Sequence, residues 1–299
     1  TEDEIQTARE QIGDSGFIAY VACTLEDNSQ LRRGVEIEQI ADEFDLDYRI
    51  YDSQSDMYLQ ITHINRAQMD GAKAFIICPL STGALDQTID SLASARIPVV
   101  FTTLYPDPYG IKLDSDNYDI GQQMGNFAGQ MILDKWGGRA AVLPLGNLDF
   151  PASDLRLDGA EAAILALAPE TTILPRQQGL TREEAYRTVH RLLEQGSEVN
   201  LIAAVNDAGA TGAVDALREA GISPNAVDII GVNAEGSILD LIRTGEYVRG
   251  TVPVQREQLS RLAVYGVIKQ LAGAVTPELY TYPAGDIITA ETLALQSSD

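Results

Sequence analysis

The sequence has few of the residues that metal sites and nucleophilic enzymes need. Its 299 residues include two histidines and two cysteines. His63 and His190 both fall in predicted helices, away from the ends of strands, where a solvated or packed histidine is the simpler interpretation. We therefore predict no metal site and no serine–histidine pair. Cys23 and Cys78 fit neither a disulfide-rich fold nor a zinc site.

The glycine motifs that bind phosphate or present a nucleophile are missing. The sequence contains no GxGxxG, no GxxxxGK[ST] and no GxSxG. Asp114–Asp119 resembles a calcium loop but lacks its glycine and its closing glutamate, so helix capping and a hinge explain it better. With no nucleophile–base pair visible, we predict no cofactor and no enzymatic activity.

Positive charge and long apolar segments are also scarce. Lys and Arg total 21 against 44 Asp and Glu, which gives a formal net charge of −23. This balance opposes binding to nucleic acid and to anionic membranes. The longest apolar runs, such as Ala74–Cys78 and Ile97–Thr103, are too short to span a bilayer, so no membrane insertion is expected. No basic-then-apolar leader opens the chain, which predicts a cytoplasmic protein or one whose leader has been removed.

What the sequence does contain is a regular alternation of short apolar segments with longer amphipathic ones. Phe17–Cys23 is uninterruptedly apolar, as expected of a strand buried on both faces. Ser29–Phe44 then places its apolar residues on one helical stripe. Further strands are predicted at Asp47–Tyr51, Ala74–Cys78, Pro98–Thr102, Ala140–Pro144, Thr171–Leu174, Leu201–Val205, Ala226–Val232 and Tyr247–Val252. Strands that alternate with helices indicate βαβ units and parallel sheets.

The number of predicted strands exceeds what one doubly wound sheet usually takes, so we predict an α/β protein with two doubly wound parallel-sheet lobes. The polar crossover at Asp114–Asn117 separates the two sets of strands. Two later crossings, after Val252 and near Tyr282–Gly285, complete a three-strand hinge. The predicted lobes are 1–115 with 256–283, and 116–255 with 284–299, with a ligand cleft between them.

Ligands of open parallel sheets bind beyond the carboxyl ends of the strands, so the residues that follow each strand are the candidates. Most are uncharged hydrogen-bonding groups, which suit a neutral polar ligand. Arg156 adds a planar fork that can hold two adjacent oxygens. The candidates at these positions are Asn28, Cys78, Thr103, Tyr105, Phe150, Arg156, Asn206, Asn233 and Gln255.

From about Gly16 to Ile288, the chain resembles the periplasmic binding proteins of the ribose-binding type, which are related to the ligand-binding cores of lactose-repressor-like transcription factors. The segments that carry the resemblance are Tyr51–Gln54, Ile97–Val100, Asp114–Asn117, Arg156–Gly159, Ala204–Asp207 and Ile230–Asn233. The resemblance implies two lobes that close on a ligand. It also implies that Arg156 and Asn206 bind sugar hydroxyls. Asn233 stands where the family commonly has an aspartate, and Gln255 lies one place from a family glutamine.

The chain departs from the family pattern in its first lobe. Thr103 and Leu104 replace an Asp-Arg pair that many sugar binders have, and Cys78 replaces an asparagine of the ribose binder. The aromatic pair that usually follows the first strand is missing. Phe150 and Tyr105 are therefore the candidates for stacking on a sugar ring.

Each candidate also has an ordinary structural interpretation. Asn206 and Asp207 would cap the helix that follows them, and Asn28 would do the same for its own helix. Asn233 would shape a turn, Arg156 would form a surface ion pair, Thr103 would end its strand, and Phe150 would pack beside Pro151. Cys23 and Cys78 are interpreted as small core residues or pocket-lining thiols. A disulfide between them requires their Cα atoms to lie within about 4.4–6.8 Å.

The function that these observations predict is an extracytoplasmic solute-binding protein. It would be a monomer that captures a monosaccharide or polyol by lobe closure and delivers it to the membrane permease of an ABC uptake transporter. The alternative is a ligand-sensing input domain, or a binding partner, of a signalling receptor. A repressor core is disfavoured, because only a short acidic segment precedes Phe17, with no room for a helix-turn-helix.

Overall fold

The computed structural model describes residues 1–26, 28–81, 83–147 and 151–296, apart from the side chains of Asn28, Ser29 and Gln296. The chain forms two compact units. The N-terminal unit comprises Thr1–Asp114 and Gln255–Tyr282, and the C-terminal unit comprises Ser115–Val254 and Pro283–Asp299. The chain thus passes between the units three times, at positions one residue away from the predicted boundaries.

The helices and strands follow one another in the order that the sequence pattern suggests. The first part of the chain contains α1 (Glu2–Ile12), β1 (Phe17–Ala22), α2 (Asn28–Glu43), β2 (Tyr48–Asp52), α3 (Met57–Met69), β3 (Ala72–Ile77), α4 (Asp86–Ser94), β4 (Val99–Phe101) and β5 (Ile111–Ser115). The middle contains α5 (Asn117–Trp136), β6 (Ala141–Gly146), α6 (Pro151–Leu167), β7 (Thr172–Ile173), β8 (Gln177–Gln178), α7 (Arg182–Glu194), β9 (Leu201–Ala204), α8 (Asp207–Glu219), β10 (Asp228–Val232), α9 (Gly236–Thr244) and β11 (Val248–Val252). The last part contains α10 (Arg256–Leu271), β12 (Leu279–Tyr282), β13 (Ile288–Thr289) and α11 (Ala290–Gln296).

Each unit is built on one sheet. The N-terminal sheet has the order β12-β5-β4-β3-β1-β2, and its pairs from β5 through to β2 are parallel. The C-terminal sheet has the order β13-β11-β10-β9-β6-β7, with β8 also paired to β6. Its strands are parallel except for β13, which runs antiparallel to β11. The predicted α/β class and the parallel sheets are confirmed.

The N-terminal core follows from the alternation of side chains along strands that are buried on both faces. Phe17, Ala19 and Val21 of β1 pack with residues of α3 and α4 such as Ile64 and Ile89. The opposite face of the sheet meets α10, where Gly266 lies against Val100 and Ile111. Burial of both faces excludes water from the sheet, so polar groups of this unit collect at the strand ends.

Four strands and one helix escaped sequence analysis. These are β5, β8, β12 and β13, together with helix α11. The predicted crossover Asp114–Asn117 overlaps the end of β5, whose first residues had no predicted structure. Ile111 and Lys112 pair with β4, and Lys112 N donates to Glu278 O at 2.8 Å. The strand character of β5 comes from pairing with residues distant in sequence, which no local pattern reveals.

Helices α5 and α6 pack unusually closely in the C-terminal unit. A Cβ atom on Gly121 would overlap the carbonyl oxygen of Arg156, and one on Gly159 would overlap that of Tyr118. Gly125 meets the carbonyl oxygen of Ala160 in the same way. Glycine therefore lets the two backbones touch, and this contact fixes where Arg156 lies relative to the start of α5. In the part of the chain that the structure describes, no helix is both long and apolar enough to cross a membrane.

We predict that Gly121→Ala lowers the free energy of unfolding by about 1–3 kcal/mol, because the new methyl group forces two packed backbones apart. Urea unfolding followed by circular dichroism measures the change. Gly236→Ala in α9 is the matched control, since a Cβ atom there meets nothing within 4 Å. Equal stabilities of the two variants would contradict the close-packing argument.

Candidate functional site

The carboxyl ends of β6, β9, β10 and β11 lie along one edge of the C-terminal sheet, because these strands run parallel in neighbouring positions. Asn206 follows β9, Asn233 follows β10, and Arg156 lies in the second turn of α6, which follows β6. The structure thus brings these three predicted residues to the same edge. Each of them is half-buried.

Arg156 is fixed by contacts within its own unit. Its Nη1 donates to the carbonyl oxygen of Val205 at 2.7 Å, and its Nε donates to Asn117 Oδ1 at 2.9 Å. Val205 directly precedes Asn206, so the guanidinium lies beside the carboxyl end of β9. The guanidinium of an arginine is planar and always charged, so these two bonds set the direction of a fixed positive charge at this edge.

Asn206 is the N-cap of α8, one of the two roles that the sequence left open. Its Oδ1 accepts from Gly209 N at 2.7 Å, and its Nδ2 donates to Leu180 O at 2.8 Å. The first bond satisfies a backbone N–H that the start of a helix leaves unpaired. The second ties the loop before α7 to the same edge. A ligand role for Asn206 stays a prediction.

Asp207, the next residue, carries a carboxylate that holds two further segments of the edge. Its side chain is 1% exposed. Oδ2 accepts from Glu235 N at 2.7 Å, and Oδ1 accepts from Thr251 Oγ1 at 2.8 Å. Thr251 Oγ1 in turn accepts from Ala234 N at 3.2 Å. One buried carboxylate therefore links the start of α8, the turn after β10 and the strand β11.

The turn that Asp207 holds contains Asn233. Asn233 and Ala234 have φ angles of 114° and 59°, in a region that residues other than glycine seldom adopt. The backbone bonds of this turn, together with Asp207 and Thr251, keep it in that conformation. The Asn233 side chain makes no hydrogen bond to any residue that the structure describes, and a ligand role for it stays a prediction.

Burial raises the pKa of Asp207 to about 7, from an ordinary value of 3.8, and the nearby Glu235 carboxylate acts in the same direction. The hydrogen bonds from Glu235 N, Thr251 and Ala234 N act against this rise. Because the folded-state pKa lies above the unfolded one, the folded chain binds this proton more tightly. The resulting stabilisation is full below pH about 4 and is lost as the pH rises to about 7.

We predict that the stability advantage of the natural protein over Asp207→Asn shrinks as the pH rises from 4 to 7 and stays constant above pH 8. The amide of the variant cannot titrate, so the difference isolates this carboxyl group. Urea unfolding across this pH range measures it, with the exposed Asp240→Asn in α9 as the control. A difference that is the same at every pH would contradict the prediction.

The corresponding edge of the N-terminal sheet contains a disulfide. Cys23, after β1, is joined to Cys78, after the neighbouring β3, and their Cα atoms lie 5.3 Å apart. The interpretation of these residues as pocket-lining thiols is wrong, whereas Cys78 is buried, as expected of a small core residue. Parallel neighbouring strands bring their ends within disulfide distance, which spacing along the sequence does not show. Cys78 therefore has no thiol to offer a ligand.

A buried glutamine braces the segment that the disulfide anchors. Gln60 of α3 is fully buried. Its Nε2 donates to Cys78 O at 2.8 Å, and its Oε1 accepts from Leu80 N at 3.0 Å. On the other side, Cys23 O accepts from Ser55 N at 2.9 Å. The loops after β1, β2 and β3 are thus joined to one another at this edge.

We predict that replacing both cysteines by serine lowers the free energy of unfolding by about 2–5 kcal/mol. The bridge spans a sequence separation of 55 residues, for which the chain-entropy relation gives about 4 kcal/mol. Urea unfolding of the natural protein with and without a phosphine reductant should show a loss of the same size. The reductant should leave the double variant unchanged, and a natural protein insensitive to it would argue against the bridge.

The remaining candidates of the N-terminal unit differ in their placement. Thr103, after β4, and Gln255, at the start of α10, are half-buried, and their side chains make no hydrogen bonds within the described ranges. Tyr105 instead belongs to the core. It is 4% exposed, its ring stacks on Phe101 with centroids 4.6 Å apart, and its hydroxyl donates to Asp86 at 2.8 Å. Its placement leaves no ring face for a sugar, so we remove it from the candidate set. Phe150 and the side chain of Asn28 lie outside the described residues.

Sequence reasoning missed the residues that shape these edges. Asp207 was considered as a helix cap and as part of a family segment, and Asn117 as part of the polar crossover and of a family segment, but neither was expected to hold other segments of the site. Gln60 was not singled out, although a glutamine facing the core side of a predicted amphipathic helix is an unusual placement. Their roles depend on contacts with residues 18 to 44 positions away in the chain.

Known proteins resemble this chain in sequence. A family model described as a periplasmic binding protein domain matches residues 18–274. The xylitol-binding protein of Mycolicibacterium smegmatis is 24% identical over 242 residues, which cover 78% of this chain and 66% of that protein. The ribose import binding protein of Haemophilus influenzae is 27% identical over 258 residues, which cover 84% of this chain and 81% of that protein.

Solved structures share the fold. The periplasmic binding protein component of the arabinose ABC transporter from Shewanella sp. ANA-3, bound to α- and β-L-arabinofuranose, superposes with a TM-score of 0.81 at 24% identity, and the match covers 94% of both chains. The Caulobacter myo-inositol binding protein, bound to myo-inositol, gives a TM-score of 0.79 at 21% identity, over 95% of this chain and 96% of that one.

Proposed function

This chain belongs to the family of periplasmic binding protein domains, and on that premise we propose that it captures a small neutral monosaccharide or polyol for delivery to an ABC-type uptake transporter. Membership of this family implies a location outside the cytoplasm. The proposal includes no covalent chemistry, since capture and release need only reversible hydrogen bonds.

The observation that carries the proposal is the chemistry of the C-terminal unit's strand-end edge. Arg156 and the amides of Asn206 and Asn233 lie there together. Beside them, the carboxylate of Asp207 is buried and directed at donors of its own unit. A guanidinium donates to hydroxyl oxygens, whereas a side-chain amide both donates to and accepts from hydroxyl groups, and a few such polar groups give a ligand site its specificity.

Residues of the N-terminal unit complete the proposed set. The side chains of Thr103 and Gln255 are half-buried and make no hydrogen bonds to other described residues. We propose that both units contribute to one ligand, and that the ligand shifts the population toward a closed state. A ligand produces such a shift only by its differential affinity for the two states.

The named relatives support the class of ligand and the kind of partner. Their names refer to xylitol, ribose, arabinose and myo-inositol, which are all small and uncharged polyhydroxyl compounds. Two of these names also refer to import or to an ABC transporter. We propose that this chain acts as a monomer and that its partner is the membrane permease of such a transporter.

We predict that Arg156→Ala weakens the binding of the preferred sugar or polyol at least tenfold, because each hydrogen bond to a charged group contributes about 1.5–3 kcal/mol. A thermal-shift screen with ribose, arabinose, xylitol and myo-inositol selects the ligand. A bound ligand stabilises the fold by about 2.7 kcal/mol at a hundredfold excess over Kd. Isothermal titration calorimetry then compares the affinities of the natural protein and the variant.

The matched control is Arg218→Ala. Arg218 lies in the last turn of α8, at the opposite end of the C-terminal unit from Asn206, and pairs with Glu246 at 2.7 Å. This variant should bind like the natural protein. Equal affinities of Arg156→Ala and the natural protein would reject the assigned site, and a screen without any binder would reject the ligand class.

A further inference from the structure

Asn117 is a buried polar residue in contact with Arg156. It is the first residue of α5 and is 5% exposed. Its Oδ1 accepts from Arg156 Nε at 2.9 Å, and its Nδ2 donates to the carbonyl oxygen of Ser115 at 3.0 Å. Both ends of this amide are therefore engaged, one with the guanidinium and one with the backbone.

The backbone that Asn117 holds lies where the chain enters the C-terminal unit. Ser115 is the last residue of β5 and the first residue of that unit. Asp116, between Ser115 and Asn117, caps α5 by accepting from Asp119 N at 2.9 Å. Because the crossing is followed at once by a capped helix, the position of the Ser115 carbonyl is tied to the start of α5.

The close packing of helices α5 and α6 also fixes the contact between Asn117 and Arg156. Gly121, one turn after Asn117, lies against the carbonyl oxygen of Arg156 itself. Gly159, one turn after Arg156, lies against the carbonyl oxygen of Tyr118. The two helix backbones touch at the level of these side chains, so neither helix can slide without breaking the amide–guanidinium bond.

We propose that Asn117 is a positioning residue, which orients the Arg156 guanidinium for the ligand and joins it to the crossing strand at Ser115. This inference rests on the proposed function, because it takes Arg156 as a ligand-binding residue. A ligand that pulls on the guanidinium also acts, through the Asn117 amide, on the backbone at the crossing. Ligand binding and the conformation of this crossing are then energetically linked.

Two substitutions separate the two bonds of Asn117. Asn117→Leu removes both of them at similar volume. Asn117→Asp keeps an acceptor for Arg156 but replaces the donor to the Ser115 carbonyl by a second acceptor. The control is Asn200→Leu, the same change in the same unit. Asn200 is half-buried, and its Oδ1 accepts from Ala141 N at 2.7 Å, at the opposite end of the sheet.

The first measurement needs no ligand. Proton exchange of the Arg156 Nε–H, assigned by its loss in Arg156→Lys, is followed by nitrogen-15 NMR. We expect a protected resonance in the natural protein, in Asn117→Asp and in Asn200→Leu, and an unprotected one in Asn117→Leu. Protection that survives in Asn117→Leu would overturn the proposed positioning role, whatever the protein binds.

The second measurement is calorimetric titration with ribose, xylitol and myo-inositol, each used separately. For the compound that binds, we expect Asn117→Leu to lose about 10- to 100-fold in affinity, the range for a hydrogen bond to a charged group. Asn117→Asp should recover most of that loss, and Asn200→Leu should bind like the natural protein. In an Arg156→Ala background, Asn117→Leu should cause no further loss, since the two residues act as one unit.

The outcomes distinguish this inference from the proposed function. If neither these three compounds nor arabinose, the fourth compound of the thermal-shift screen, binds to the natural protein, the proposed ligand class fails, and the exchange measurement alone decides the role of Asn117. If binding occurs but the losses from Arg156→Ala and Asn117→Leu are additive, Asn117 does not act through Arg156. If Asn200→Leu loses as much affinity as Asn117→Leu, the effect is general destabilisation and the inference is wrong.

Discussion

Polar groups that gather where parallel strands end must be satisfied without bulk water, and this requirement shapes both strand-end edges of the protein. Where a strand is buried on both faces, its polar neighbours lie at its ends. Leaving a buried donor or acceptor there without a partner lowers the free energy of unfolding by about 1–3 kcal/mol. In the C-terminal unit, Asn206 and Asp207 satisfy N–H groups of α8 and of the turn after β10. In the N-terminal unit, Gln60 does the same for the segment after β3.

The same bonds decide which groups stay available for recognition. The side-chain oxygens of Asn206 and Asp207 accept hydrogen bonds from backbone N–H groups. Asn233 lies in the turn that the Asp207 network holds, and its side chain makes no hydrogen bond to a described residue. The ring of Tyr105 stacks on Phe101, and its hydroxyl donates a hydrogen bond to Asp86. A polar or aromatic residue after a strand can thus be taken up by the fold, as Tyr105 is, or keep groups that are not bonded within the fold. Its hydrogen bonds and exposure show which, whereas its type does not.

The two units build their edges by different means. In the N-terminal unit, a covalent bridge and a buried glutamine join the loops after β1 and β3. In the C-terminal unit, a buried carboxylate and close glycine contacts between α5 and α6 have the equivalent effect. A disulfide holds its loops independently of pH, whereas the Asp207 network includes a group that titrates near neutrality. The two edges therefore respond to different chemical conditions.

The sequence by itself determined the α/β class, the order of most strands and helices, and the resemblance to a binding-protein family. These features rest on local periodicity, on turn residues and on short segments whose order along the chain is informative. It also located Arg156, Asn206 and Asn233 at strand ends, because that position follows from element order alone. Tertiary structure decided the rest: the strand β5, the Cys23–Cys78 bridge, the burial of Tyr105, and the contacts of Asn117 and Asp207. Each of these depends on which distant residues become neighbours, and such neighbours are chosen by packing in three dimensions, which no local pattern encodes.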